Sequence, residues 1–187
     1  MDNHGRSPYS PSDMDPSYSL ITIEDPRLRQ VSLPISDLAN PQIQHLIDVM
    51  LTAVVAHQGV GLAAPQLAHP VRLLVVASRP NRRYPDAPLM VPTIMINPVI
   101  LSYDDHREKG WEGCLSVPGQ RGQVHRYRQV EVEYLDRQGQ TCRQLWQGFV
   151  ARIFQHEYDH LEGQLFLDRL ESEADLCSEA NYQALFP

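Results

Sequence analysis

Residues 156–160 read His-Glu-Tyr-Asp-His, so two histidines and a glutamate stand close together in the chain. In a helix, His156 and His160 lie one turn apart on the same face, near enough to bind one metal ion, with Glu157 beside them. Two histidines on the exposed face of a helix would have the same spacing. The pattern therefore predicts a metal site only if the chain supplies a further ligand.

Three sources of a third ligand can be compared. The metzincin extension of the motif fails, because Phe166 occupies the position of its third histidine. Downstream carboxylates from Glu171, Glu173 or Glu179 would give an endopeptidase that cuts internal peptide bonds. Upstream, Cys114 offers a thiolate, and an anionic ligand complements two neutral imidazoles.

The chain contains three cysteines, Cys114, Cys142 and Cys177. The odd number, with no apolar secretory core near the N terminus, disfavours a disulfide framework and favours reduced thiols in the cytoplasm. A protein without catalytic activity would use Cys142 as a fourth ligand and close the site as a structural zinc centre. The role of Cys142 thus separates a catalytic from a structural site.

Two further segments precede the histidines: residues 59–66 read Gly-Val-Gly-Leu-Ala-Ala-Pro-Gln, and residues 112–116 read Glu-Gly-Cys-Leu-Ser. With residues 156–160 they resemble, in order, the three motifs of the peptide deformylase family, and the similarity extends over about residues 20–170. The resemblance implies a metal-dependent hydrolase. It would remove the formyl group from formyl-methionine at the N terminus of nascent polypeptides.

The resemblance also implies the metal ligands, which are Cys114, His156 and His160. Three protein ligands leave a fourth position for water, whose pKa the metal lowers toward neutrality. The family precedent for the metal is Fe²⁺, one ion per chain. Zn²⁺, Ni²⁺ or Co²⁺ are alternatives in purified protein, because the ligands do not select the metal.

By the same resemblance, Glu157 is not a ligand but transfers protons between the attacking water and the leaving amine. The side-chain amide of Gln66 and the backbone N–H of Leu115 stabilise the oxyanion. Independently of the resemblance, Glu112 is expected to accept the distal N–H of a ligand imidazole, and a solvated carboxylate is the alternative.

Substrate contacts are expected around Gly61, where the absence of a side chain allows a peptide to pair as an added strand. The pocket for the methionine side chain is expected to use Val60, Phe149 and Ile153, which would serve equally well as plain core residues. Arg152 lies in the same stretch, and we expect its stem to line the pocket while its charged group reaches solvent.

A basic cluster comprises Arg121, His125, Arg126 and Arg128. The ordinary interpretation is a solvated loop and strand edge. The alternatives are that Arg121 holds the peptide backbone or that the cluster makes a weak contact with the ribosome. The acidic segment 171–187 does not support docking on RNA.

The scaffold begins with a helix that has Asn40 as N-cap and Pro41 at its first position, runs to about Gln58 and stops at Gly59. Its apolar residues recur at helical spacing along one face. They are Ile43, Leu46, Ile47, Met50, Leu51, Val54 and Val55.

The remaining pattern predicts an α+β fold in which small antiparallel or mixed sheets pack around a central metal-bearing helix. That helix spans about residues 148–161, and the amphipathic helix near the N terminus completes the scaffold. The predicted strands are 71–77, 93–101 and a hairpin of 130–135 with 140–146, and an exposed loop is expected at 79–88.

The chain has 187 residues and a net charge of −7, which suits one domain and disfavours nucleic acid as a substrate. We expect residues 1–19, rich in Ser, Pro and Asp, to form a mobile tail and residues 20–187 to form the catalytic domain. No stretch is long and apolar enough for a membrane span. Acids in the tail argue against an organellar transit peptide, so a cytoplasmic protein is expected.

Overall fold

The computed structural model describes residues 18–81 and 83–185, and this part of the chain forms two antiparallel sheets and three α-helices. The predicted α+β class with antiparallel sheets is confirmed. The helices are α1 (Pro41–Ala56), α2 (Gly148–Leu161) and α3 (Glu179–Ala184). The strands are β1 (Gly61–Ala63), β2 (Leu73–Val76), β3 (Thr93–Tyr103), β4 (Arg107–Cys114), β5 (Val117–Tyr127), β6 (Gln129–Leu135), β7 (Thr141–Gln147) and β8 (Leu176–Ser178).

The larger sheet has five strands in the order β1-β2-β3-β6-β7. All four residues of strand β2 are buried. Because successive side chains of a strand point to opposite sides, both faces of β2 are covered. Leu73 and Val75 pack with the apolar face of α1, and Leu74 and Val76 pack with α2. The sheet therefore separates the two long helices.

Helix α1 begins where the Asn40 side chain accepts a hydrogen bond from the backbone N–H of Gln42 at 2.9 Å. Its buried side chains, which include Ile47 and Met50, cover one face of the larger sheet. This helix is scaffold, and it ends just before the segment 59–66.

Helix α2 lies between the two sheets. Ala151, Phe154 and Leu161 are fully buried against the larger sheet. His156 and His160 occupy the side of the helix that faces β4 and β5. The helix is thus held by apolar packing on one side and presents polar groups on the other.

The smaller sheet has the order β4-β5-β8. Strands β4 and β5 form a long hairpin whose last pair is Cys114 with Val117, so the turn places the thiol at the end of the sheet. Strand β8 pairs with β5 through residues 120–122. Sequence analysis did not predict these strands, because glycines and charged residues interrupt their apolar alternation.

Structural contacts are present at both ends of the described residues. Most of the predicted N-terminal tail lies outside the described residues, but Tyr18 packs on His45 and His69 with ring-centroid distances of 5.3 and 5.1 Å. The acidic segment predicted from residue 171 onward contains β8 and α3. Within the described ranges, no helix has both the length and the apolar character that crossing a membrane requires.

Candidate metal centre and active site

Three side chains converge where the end of β4 meets α2. Candidate ligand atoms of Cys114, His156 and His160 all lie within 4.8 Å of one another, and all three residues are buried. The Cys114 Sγ is 3.3 Å from His160 Nε2. The thiol comes from a hairpin and the imidazoles come from a helix, so only the folded chain assembles this set.

The donor chemistry of this set fits a divalent transition metal, because a thiolate and two imidazoles are the ligands that such ions prefer. Burial lowers the pKa of His160 well below its ordinary value, which keeps that imidazole neutral as metal ligation requires. Burial acts on His156 too, but hydrogen bonds to Cys114 and Glu112 outweigh it and raise the pKa of His156. Because a metal binds only the neutral imidazole, a metal ion and a proton compete for His156.

The ligands of the alternative sites lie elsewhere in the described structure. Cys142 is on β7 of the larger sheet and is not a member of the cluster. Glu171 contacts His125 at 2.9 Å, and Glu179 pairs with Arg121 at 2.7 Å. Neither a closed structural zinc site nor a downstream glutamate ligand is therefore favoured.

Glu112 on β4 contacts His156 as sequence analysis expected of it, with 2.9 Å between Glu112 Oε2 and His156 Nδ1. The same carboxylate accepts two hydrogen bonds from Arg126, at 2.9 and 3.0 Å, and one from Arg152 at 3.0 Å. Burial alone would raise the pKa of Glu112, but Arg126 and His156 reverse this and hold it well below its ordinary value. An anion is thus fixed against the distal nitrogen of His156.

Glu157 is 4% exposed, and its Oε2 has no hydrogen-bond partner among the described residues. Burial raises the pKa of Glu157 to about 7. A Cβ at Gly61 would lie 2.5 Å from Glu157 Oε1 and 2.8 Å from Ile153 Cγ2. The glycine that sequence analysis assigned to substrate approach is therefore also required by the position of Glu157.

The Gln66 side chain is oriented by the backbone of its own segment. Its Oε1 accepts the N–H of Ala63 at 2.8 Å, which turns its Nε2 toward Ser116 Oγ at 3.3 Å and Cys114 Sγ at 3.5 Å. Leu115 and Ser116 form the turn between Cys114 and Val117. Both predicted oxyanion donors thus lie beside the thiol.

A cleft of about 530 Å³, measured out to open solvent, leads to this cluster. Sequence analysis missed the cleft residues Tyr84 and Trp111. Tyr84 lies in the loop expected to be exposed, but its ring packs on Phe149 with a centroid distance of 5.0 Å. The cleft lining includes every predicted pocket residue, namely Val60, Gly61, Phe149 and Ile153, together with Gln66, Leu115, Cys114, His156 and Glu157.

The solvated interpretation of the basic cluster is wrong for two of its members. Arg121 and Arg126 are 1% and 5% exposed, whereas Arg128 remains largely exposed. Arg126 is buried because Glu112 and Asp159 neutralise it, and Arg121 because it is paired with Glu179.

The prediction for Arg152 is wrong for its charged group, although the residue lines the cleft as expected. Its guanidinium does not reach solvent but donates to the carbonyls of Val124, Gly110 and Glu108, at 2.8, 3.2 and 2.7 Å, and to Glu112. A Cβ at Gly110 would lie 2.8 Å from Arg152 Nη2. The arginine therefore fills the space that a side chain at Gly110 would occupy.

Comparison with known proteins assigns the family. The polypeptide deformylase family model matches residues 17–175. Peptide deformylase 2 of Nostoc sp. is 51% identical over 166 residues, which are 89% of this chain and 93% of that protein. Peptide deformylase 1 of Bordetella pertussis is 43% identical over 170 residues, 91% of this chain and 95% of that protein.

Solved structures agree. A class I type b peptide deformylase from Acinetobacter baumannii, bound to Met-Ala-Ser, superposes with a TM-score of 0.80 at 43% identity, covering 84% of this chain and all of that one. A peptide deformylase from Synechococcus elongatus in complex with actinonin gives 0.75 at 35% identity, covering 86% of this chain and 82% of that one. The chain therefore belongs to the peptide deformylase family, the metal-dependent hydrolases that remove the formyl group from the N terminus of nascent polypeptides.

Proposed function

We propose that Cys114, His156 and His160 hold a single Fe²⁺ ion and that this chain deformylates peptides beginning with formyl-methionine. The observation that carries the proposal is the convergence of these three ligand atoms within 4.8 Å at the end of a cleft. The metal supplies one thing when bound, a water of lowered pKa that is nucleophilic near neutral pH. The chain's own residues supply the rest of the mechanism.

Glu157 is the proton carrier in this proposal. Its buried carboxyl group is adjacent in sequence to one metal ligand, lines the cleft, and has a pKa raised to about 7, which suits a group that must accept and donate a proton near neutrality. It takes the proton of the attacking water and delivers one to the leaving amine. Glu112 holds His156 in orientation through its distal nitrogen.

Gln66 and Leu115 stabilise the oxyanion that forms when the formyl carbon becomes tetrahedral. The Gln66 amide is oriented by Ala63, and its Nε2 lies near Ser116 Oγ and Cys114 Sγ, so we expect its N–H groups to exchange these partners for the oxyanion. The backbone N–H of Leu115 is the second donor. Removing one such donor typically costs a factor of about 10²–10³ in kcat.

The substrate's methionine side chain enters the cleft beside Val60, Phe149 and Ile153. The peptide backbone pairs with the segment around Gly61, which leaves the following residues free to vary. Arg121 is too deeply buried and too fully paired to bind the peptide backbone directly, so we assign it to the wall of the groove that adjoins the cleft.

The proposal places the protein in the cytoplasm, where formylated nascent chains arise. Contact with the ribosome is expected to be weak, because a net charge of −7 opposes binding to RNA. Fe²⁺ predicts oxygen sensitivity, since loss of iron or oxidation of the Cys114 thiolate would end activity. Activity should fall during aerobic purification and be preserved by substitution with Ni²⁺ or Co²⁺.

The deciding experiment measures formate released from formyl-Met-Ala-Ser by anaerobically prepared protein. Glu157→Gln is the matched variant, because it keeps the shape of the side chain but cannot carry the proton. We expect it to retain metal and to lose a factor of about 10²–10⁴ in kcat. Absence of formate from the iron-loaded wild type would refute the proposed function, and full activity after long exposure to air would refute iron.

A further inference from the structure

The C-terminal segment folds against the strand that follows the Cys114 turn. Strand β8 pairs with β5 so that Arg121 is opposite Cys177, and Asp175 forms an ion pair with Lys109 of β4 at 2.6 Å. The match to the family model ends at residue 175. Strand β8 and helix α3 therefore lie beyond the residues that the family model matches.

Helix α3 neutralises Arg121. Glu179 accepts hydrogen bonds from Arg121 Nε at 2.7 Å and Nη2 at 3.2 Å, and the Tyr84 hydroxyl accepts one from Nη1 at 2.8 Å. The guanidinium carbon also lies over the rings of Tyr84 and Tyr182, at 5.2 and 4.7 Å from their centroids. Arg121 is 1% exposed, but the Glu179 side chain is 30% exposed, so the carboxylate covers the buried cation.

This pair lies in the wall of a groove of about 2110 Å³, measured out to open solvent, which continues from the active-site cleft. The two share Tyr84, Phe149 and residues 113–115, which include the thiol. A Cβ at Gly113 would lie 2.9 Å from the Arg121 guanidinium carbon, so this cation is next to the residue that precedes Cys114. If the cleft takes formyl-methionine as proposed, the groove takes the residues that follow it.

Among the described residues, the charged groups that line the groove are Arg83, Asp86, Arg121 and Glu179, two positive and two negative, so their charges balance. Without Glu179, the groove would carry one uncompensated positive charge in a partly enclosed site, where charges act more strongly than in bulk water.

We propose that Glu179 is a specificity-determining residue, which cancels the charge of Arg121 so that the groove accepts acidic and basic residues after methionine alike. An enzyme that acts on nascent chains of many sequences needs such indifference. This inference rests on the proposed function for the direction of the peptide, but its test does not depend on turnover.

The test measures binding of two tripeptide amides, Met-Ala-Glu and Met-Ala-Lys, to metal-loaded protein by titration calorimetry. In Glu179→Gln, the ratio of the two dissociation constants should shift by roughly threefold to tenfold in favour of the Glu peptide. Glu179→Asp keeps the charge and should keep the wild-type ratio. Glu173→Gln is the matched control, since Glu173 is an exposed acid of the same segment outside the groove.

Equal changes for both peptides in Glu179→Gln would assign Glu179 a merely structural role and overturn the inference, as would the same shift in Glu173→Gln. If Glu179→Gln does not fold, the test uses the double variant Arg121→Met with Glu179→Gln. It removes both charges and should keep the wild-type ratio, and a changed ratio would overturn the inference.

Formate release from the formylated forms of both peptides is measured in parallel with wild-type protein. A shifted binding ratio without formate would refute the proposed function but support the groove inference. Formate release without a shifted ratio would refute the groove inference alone.

Discussion

Strand β6 of the larger sheet alternates buried Val130, Val132 and Tyr134 with half-exposed neighbours, whereas strand β5 of the smaller sheet buries two arginines, Arg121 and Arg126. The larger sheet is held by apolar packing against α1 and α2. The smaller sheet also has an apolar cluster, which includes Val124 and Phe166, but it adds buried ion pairs, and glycines leave room for arginine side chains beside it. The sheet that carries the thiol therefore combines charge neutralisation with hydrophobic burial, whereas the other relies on hydrophobic burial.

The largest expected difference between the two sheets is in the effect of replacing their cysteines. Cys114→Ala removes a ligand from the smaller sheet and should abolish both metal binding and formate release. Cys142→Ala, on β7 of the larger sheet, should leave both unchanged because Cys142 is outside the ligand cluster. Metal content by elemental analysis, with a formate assay, checks this. Loss of metal in Cys142→Ala would instead support the closed structural zinc site with Cys142 as fourth ligand.

The next largest effect is expected at Arg126. Arg126→Met leaves the buried carboxylates of Glu112 and Asp159 short of a partner, which should lower the free energy of unfolding by about 3–5 kcal/mol. Denaturant unfolding of the wild type and the variant measures it. A loss below about 1 kcal/mol would mean that Arg152 and Arg169 suffice to neutralise those carboxylates.

A smaller effect is expected at Glu112. Glu112→Gln removes the anion against His156 Nδ1 and should weaken metal affinity about 10–100-fold. Competition with a chelator measures the affinity. Glu133→Gln, an acid of the larger sheet, is the control and should not change it. Equal affinity in both variants would contradict a positioning role for Glu112.

The smallest effect is expected for the exposed ion pair of the larger sheet. Arg143 and Glu133 are 3.3 Å apart with side chains 60% and 41% exposed. Arg143→Met should change the free energy of unfolding by less than about 1 kcal/mol, because exposed pairs gain little in water. A loss as large as that of Arg126→Met would erase the contrast between the sheets.

The same contrast explains what the sequence could predict. The long helices and β6 with β7 follow from apolar periodicity, and helix 148–161 is observed with the predicted bounds. Hairpin β4–β5 escaped prediction because Gly110, Gly113 and Gly122 break its alternation. The hydrophobic periodicity of the sequence does not indicate that an arginine side chain fills the space beside two of these glycines.

The site residues also fall into those that the sequence could predict and those that it could not. The candidate ligands and Glu157 stand in short motifs with recognisable spacing, and the structure brings them together. Partners of the buried arginines lie far along the chain, since Tyr84 and Glu179 are 37 and 58 positions from Arg121. The local sequence does not indicate such pairs. Sequence analysis therefore predicts a solvated arginine where the structure has a buried one.

The missing side chain at Gly61 has a consequence for inhibitor design. Any other residue there would collide first with Glu157 and Ile153, on the interior side of the strand. A compound that hydrogen-bonds to the Gly61 backbone thus binds a position with little mutational freedom. Resistance by substitution at this site would displace the carboxylate that we propose carries the proton during turnover.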